Sequence, residues 1–465
     1  MLFNSSEFVL FFALVLLLYT RLAHRGQNRL LLLASCIFYG WWDVRFLSLV
    51  AFSGGVDYMV ALRLDREEDA ARRKLLLRIS LVSNLTLLGF FKYFNFFTDS
   101  TVELLQVLGF RADAPTLQIV LPVGISFYTF QSLSYTLDVY WRKLQPCKDP
   151  LDFATFVMFF PQLVAGPIER ATHMLPQVQR PRRITADMVR EGGWLILLGF
   201  YKKTVLADNM STQTSRIFSD PASAHGLEVL IAVYAFAFQI YGDFSGYSDI
   251  ARGVAKLLGF DLMHNFRMPY FATNPAEFWR RWHISLSTWL RDYLYVPLGG
   301  NRGGNTYRNL MTTMVLGGLW HGASWNFVAW GAYQGGLLCA HRAWTGGKTI
   351  AEEGLTWRRL GKAALFFQLV CFGWLLFAVR KLGDVAILAH QLVSPFQFNG
   401  KLMLANLIVF ATPLMVLDAV QLQAGSTDRI RAWPRPVRLA VYAYLSCLIV
   451  LSGQPGGQDF IYFQF

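Results

Sequence analysis

Apolar stretches long enough to cross or nearly cross a bilayer recur along the whole chain, at 8–22, 30–50, 75–97, 119–140, 153–164, 193–206, 227–244, 309–340, 363–379, 402–420 and 437–451. Lipid offers the backbone no hydrogen-bond partners, so each stretch must satisfy its own N–H and C=O groups, which a helix does. The composition agrees, with 54% hydrophobic and only 16% charged residues, well outside the soluble range. The chain reads as an all-α polytopic membrane protein. Several stretches are short or broken by Gly and Pro, which predicts about ten to twelve transmembrane helices, with re-entrant and interfacial helices among them.

The first apolar stretch follows Met1-Leu-Phe-Asn-Ser-Ser-Glu7, without a basic region before it or a small-residue cleavage site after it, and reads as a retained helix. Arg21, Arg25 and Arg29 come directly after it. The positive-inside rule then places this connection in the cytoplasm and the amino terminus outside it. Much of the net charge of +13 falls in the connections 170–190, 280–308 and 342–362. Short basic connections suit a cytoplasmic leaflet surface and not nucleic acid. The five cysteines, Cys36, Cys147, Cys339, Cys371 and Cys447, show no CxxC spacing and read as packing residues. His24, His173, His225, His264, His341 and His390 lack metal-ligand spacing, so no metal site is expected. No internal repeat and no loop long enough for a soluble domain is evident, and 1–465 reads as one membrane domain.

Two further histidines stand where lipid discourages them. The stretch 276–295 reads as one amphipathic, interfacial helix: Phe278, Trp282, Leu286, Trp289 and Tyr293 form an apolar stripe, with His283 beside it, opposite Glu277, Arg281, Ser285, Thr288 and Asp292. Its Trp and Arg residues suit headgroup anchoring. His321 follows Gly317 and Gly318, which on a helix lie at i−4 and i−3. Spacing alone is compatible with two arrangements: the glycines leave room for a ligand beside the imidazole, or they admit a neighbouring helix. A serine nucleophile is disfavoured, because no Gly-x-Ser-x-Gly elbow occurs. A histidine taking a proton from a hydroxyl fits its near-neutral pKa. Asp138, Asp243 and Asp249 lie in or beside apolar segments and call for structural partners. At the carboxyl terminus, 456–465 joins a glycine linker to an aromatic tail containing Tyr462, which suits headgroup depth.

Six ordered motifs, Leu121-Pro-Val-Gly-Ile-Ser-Phe-Tyr-Thr-Phe130, Pro161-Gln-Leu-Val-Ala-Gly-Pro167, Tyr241-Gly-Asp-Phe-Ser-Gly-Tyr-Ser-Asp249, Glu277-Phe-Trp-Arg-Arg-Trp-His-Ile-Ser-Leu-Ser-Thr-Trp-Leu-Arg-Asp292, Leu298-Gly-Gly-Asn-Arg302 and Gly317-Gly-Leu-Trp-His-Gly322, together resemble the membrane-bound O-acyltransferase family. Within it they are similar to the bacterial branch of the membrane subunit of alginate and cellulose O-acetylation. The resemblance implies a helical bundle around a central tunnel, with His321 as the principal catalytic histidine and His283 as its upstream partner, a position that is Asn in many eukaryotic relatives.

It also implies acetyl transfer from a cytoplasmic thioester, acetyl-CoA, to an exopolysaccharide. No permanently bound cofactor is implied. A separate periplasmic or membrane-anchored acetyltransferase and the polysaccharide synthesis machinery are the implied partners. Trp320 and Trp325 are expected in the tunnel wall, Arg280, Arg281 and Arg291 at the donor phosphates, and Tyr462 as an acyl carrier. The alternatives are a transporter or flippase without covalent chemistry, in which the two histidines gate a passage, and O-acylation of a protein or lipid by the same family.

Overall fold

The computed structural model describes residues 1–111, 113, 117–302, 304–348, 350, 352, 354–393, 397, 399–425, 432–454 and 460–461. Among them every regular element is helical. Six helical runs are long and apolar enough to cross a membrane: His24–Arg66, Ala70–Val107, Leu227–Leu257, Trp357–Ala378, Lys401–Ala424 and Arg435–Ser452. The other apolar stretches are shorter or interrupted. The 153–164 stretch breaks at Phe159, between Pro150–Met158 and Phe160–Leu163, where Pro161 has no amide hydrogen to continue the ladder. The 309–340 stretch divides into Thr306–His321 and Trp325–Thr345.

The helices pack as two compact units. The first comprises Met1–Gly192, Val254–Met263 and Gly322–Ser324; the second comprises Gly193–Gly253, His264–His321 and Trp325–Phe465. In the first, the helix Ile125–Tyr140 is buried from Ile125 through Val139, so protein surrounds it on all sides. Its serines can therefore work as interhelical glue. Ser132 from this helix, with Ser80 and Asn84 from Ala70–Leu88, donates hydrogen bonds to the buried carboxylate of Asp57.

The second unit begins within the helix Ala186–Phe200, which runs into a π-helical turn, Tyr201–Ala207. This segment crosses Leu227–Leu257 closely: a Cβ on Gly246 would lie 2.8 Å from the Gly199 carbonyl oxygen. Successive α-helical side chains diverge by about 100°, and widening the turn re-aims them. Lys202 pairs with Asp249 at 2.7 Å and Lys203 with Asp243 at 2.8 Å, so consecutive lysines engage one long helix. Lys203 also pairs with Asp208 at 2.9 Å. Asp243 and Asp249 thus have the structural partners that the sequence calls for.

A buried histidine pair as candidate active site

The helix expected over 276–295 is broken where it matters. Asn274 caps a short helix, Pro275–Arg281, by accepting from the Glu277 amide at 2.9 Å, and Pro275 occupies its first turn. Glu277 reaches back to the Thr273 amide at 2.9 Å. The chain then extends at Trp282, turns left-handed at His283 with φ 42°, and resumes as Ile284–Leu290 and a π-helical turn, Arg291–Tyr295. Backbone bonds across the break satisfy its polar groups: Arg267 donates to the Arg281 carbonyl and Ile284 to the Asn265 carbonyl, both at 2.9 Å.

The element is also less exposed than an interfacial helix would be. Glu277, Phe278, Arg281, Trp282, His283, Ser285, Leu286 and Trp289 are all buried. Apolar burial on two faces, not on one stripe, explains the break. The turn directs Trp282 onto Trp374, with ring centroids 4.7 Å apart, and His283 edge-on to Phe244 at 4.6 Å.

His321 ends the helix Thr306–His321. The two arrangements open for its glycines are now distinguished. A Cβ on Gly318 would collide with the Phe327 carbonyl oxygen and lie 3.1 Å from Gly331 Cα, so Gly318 admits the helix Trp325–Thr345; Gly317 faces the Leu290 side chain. The imidazole is enclosed by aromatic rings instead, with Trp330 at 5.0 Å, Trp320 at 5.1 Å and Phe377 at 5.4 Å. His283 and His321, 38 residues apart in sequence (321 − 283), bring their ring centroids to 6.3 Å, with Trp320 5.8 Å from His283. They are 0% and 4% exposed.

His283 Nδ1 lies 3.1 Å from Asn265 Oδ1, an oxygen that also accepts from the Ser285 amide at 3.3 Å and the Ser285 hydroxyl at 2.9 Å. Burial and the nearby His321 charge hold the His283 pKa well below its ordinary value. Behind the pair, Glu277 bonds both Arg281, at 3.0 Å, and Arg359. Burial pushes this carboxyl up, but the Thr273 donors and the two guanidiniums outweigh it and keep the pKa low. Two buried histidines in an aromatic enclosure can exchange a proton with a hydroxyl, and the apolar rings disfavour water there.

Of the residues nominated from sequence, His283, His321 and Trp320 come together. Trp325 is 55% exposed at the start of its helix. Arg281 is committed to Glu277 and, at 2.6 Å, to Glu352; Arg280 also pairs with Glu352, at 3.4 Å, and Arg291 with Asp292 at 2.7 Å. Tyr462 lies outside the described residues, but Phe460 and Ile461 before it are buried. The Ile461 amide donates to Asp243 at 2.6 Å, and Phe460 packs on Tyr247 at 4.9 Å and Phe244 at 5.8 Å. Sequence reasoning missed Asn265, Phe244, Trp330, Trp374 and Phe377. Phe244 sat inside a quoted motif; the others join the site only through tertiary packing. No group of metal-ligating side chains occurs among the described residues.

Residues 148–351, which include both histidines, match the family model described as MBOAT, membrane-bound O-acyltransferase family. The chain is 43% identical over 398 residues to a protein of Azotobacter vinelandii named "Probable alginate O-acetylase AlgI", covering 83% of this chain and 76% of that one. A peptidoglycan O-acetyltransferase of Helicobacter pylori is 35% identical over 416 residues, covering 82% of this chain and 78% of that protein. A teichoic acid D-alanyltransferase of Streptococcus thermophilus is 30% identical over 237 residues, or 48% of this chain and 57% of that protein. Motif order, helical architecture, paired histidines and these likenesses converge: the chain is an O-acyltransferase belonging to the membrane-bound O-acyltransferase family.

Proposed function

We propose that this enzyme takes an acetyl group from acetyl-CoA on the cytoplasmic side of the inner membrane and passes it outward for O-acetylation of an exopolysaccharide, alginate or cellulose, with a separate periplasmic acetyltransferase. The observation that carries the reading is the histidine pair at 6.3 Å within an aromatic enclosure. The names of the similar alginate O-acetylase and peptidoglycan O-acetyltransferase support acetyl as the group and, for the former, alginate as the polymer. In this reading His321 removes the proton from an acceptor hydroxyl, whose oxygen attacks the thioester carbonyl. The carbon–sulfur bond breaks, and the leaving thiolate recovers the proton from His321. Exclusion of water by Trp320, Trp330 and Phe377 protects the thioester from hydrolysis.

The test uses purified protein in nanodiscs, its partner and radiolabelled acetyl-CoA. Folded His321→Ala should lose at least about a hundredfold in thioester consumption. Wild type that neither consumes acetyl-CoA nor takes up label overturns the donor assignment.

Tyr462 is the proposed first acceptor, receiving acetyl on its phenolic oxygen and passing it on. Its support is the anchoring of the preceding Ile461 at Asp243 and of Phe460 against Phe244, the ring that touches His283. Label should appear on Tyr462, and a fully active Tyr462→Phe would sink this assignment.

A further inference from the structure

His283 is held by an unusual amount of a single neighbour. Asn265, itself 1% exposed, contributes its backbone carbonyl to the Ile284 amide on one side of the left-handed turn and its side-chain oxygen to Ser285 and His283 on the other. The identity of that oxygen is fixed independently of the histidine. A backbone N–H can only donate, so the Ser285 amide at 3.3 Å requires Oδ1 there. The amide nitrogen of Asn265 meanwhile reaches the Ser248 hydroxyl at 3.2 Å. An oxygen that can only accept then faces His283 Nδ1 at 3.1 Å, while the Ser285 hydroxyl, 3.5 Å from the same nitrogen, spends its hydrogen on the nearer Asn265 oxygen, so Nδ1 carries the hydrogen. In a neutral imidazole the other nitrogen, Nε2, holds the lone pair.

We propose that Asn265 is a positioning residue for acyl transfer, fixing His283 as the Nδ1–H tautomer so that Nε2 serves as a hydrogen-bond acceptor in the histidine pair. The inference rests on the acyl-transfer reading above. It assigns the two histidines different duties. A neutral His283 with this tautomer has no Nε2 proton with which to hold an oxyanion; its Nε2 lone pair holds the single hydrogen of the incoming hydroxyl in the bound state, and that hydrogen turns to His321, which takes it as the oxygen attacks. Asn265 plays the part that a carboxylate plays behind many catalytic histidines, but without adding charge. That difference matters in a buried site, where a carboxylate would favour the imidazolium and remove the acceptor. Among the described residues, the titratable group facing His283 is His321. Asp243, next to Phe244 on the long helix, is bound to Lys203, and His264, beside Asn265, to Arg252 at 3.2 Å.

Asn265→Asp keeps an acceptor at the same place and adds the charge. Its acid limb in kcat/KM for acetyl-CoA should move upward by roughly one to three pH units. Asn265→Ala should lower kcat by at least about tenfold with little change in KM for the thioester. A purely structural Asn265 would reduce the yield of folded protein and leave the pH profile of the folded fraction in place. Nitrogen-15 spectra of histidine-labelled wild type in nanodiscs, with His283 assigned by comparison with His283→Asn, read the tautomer without any change at Asn265. They should show a protonated Nδ1 and a bare Nε2. An Nε2–H signal for His283, or an unshifted profile for folded Asn265→Asp, overturns the inference while wild type remains active. Wild type inactive at every pH instead strikes the acyl-transfer reading itself.

Discussion

At the scale of the residue, His283 shows how a buried titratable group couples protonation to stability. Its pKa is depressed by burial and by His321, whereas an unfolded histidine titrates near about 6.5. Above that pH both states are neutral and no penalty arises. As the pH falls below it, the unfolded chain takes up a proton that the folded site refuses, so stability declines by up to roughly 1.4 kcal/mol per pH unit. His283→Asn, which removes the titration, should flatten the fall in melting temperature between about pH 6.5 and 5; an unchanged slope in nanodisc melting curves would refute it. The unusual setting of His283 and His321 was legible in the sequence, because polar side chains in apolar surroundings demand an explanation. Asn265 was not, since an Asn outside any periodic segment carries no signal of what it faces.

At the scale of the element, the left-handed turn at His283 is the clearest departure from periodicity. Positions 278, 282, 286, 289 and 293 fit a helical stripe, and the segment is helical on either side of the break. Tertiary packing of Trp282 against Trp374 and bonding to 265–267 override the local preference. The pairing of Thr306–His321 with Trp325–Thr345 gives a sharper expectation. Gly318→Ala places a methyl group against backbone, which cannot move as a flexible side chain can. It should destabilise the protein by roughly 1–3 kcal/mol and impair activity further by displacing Trp330 from His321. Gly336→Ala on the facing helix, Trp325–Thr345, meets nothing within 4 Å, and should leave melting temperature and activity near wild type. Equal behaviour of the two variants would contradict this packing account.

At the scale of the whole molecule, the hydrophobic pattern revealed the membrane class and the helical architecture, but not which apolar stretches face lipid. A composition window cannot tell lipid-facing apolar residues from those buried by other helices, as Ile125–Tyr140 illustrates with its unbroken run of buried positions. Nor does it register polar interruptions such as Asp43, whose side chain accepts from the Arg45 amide at 2.9 Å and starts a tighter turn within the 30–50 stretch. Charge gives an expectation for orientation. Arg21, Arg25 and Arg29 are exposed after the helix Ser6–Tyr19, and the amino terminus is accordingly expected outside. In a background lacking the native cysteines, Asn4→Cys should react with an impermeant maleimide added to intact cells, and Arg21→Cys only after permeabilisation. The reverse pattern would invert the topology.

The positive φ at His283 has a consequence for mutational history and for experiment alike. Histidine, asparagine and aspartate enter left-handed backbone more readily than other side chains with a Cβ, and branched or bulky ones enter it at substantial strain. The backbone thus screens the alphabet at this position before any chemistry is judged. Substituting leucine or valine would confound a distorted turn with a missing imidazole, whereas asparagine isolates the loss of the ring.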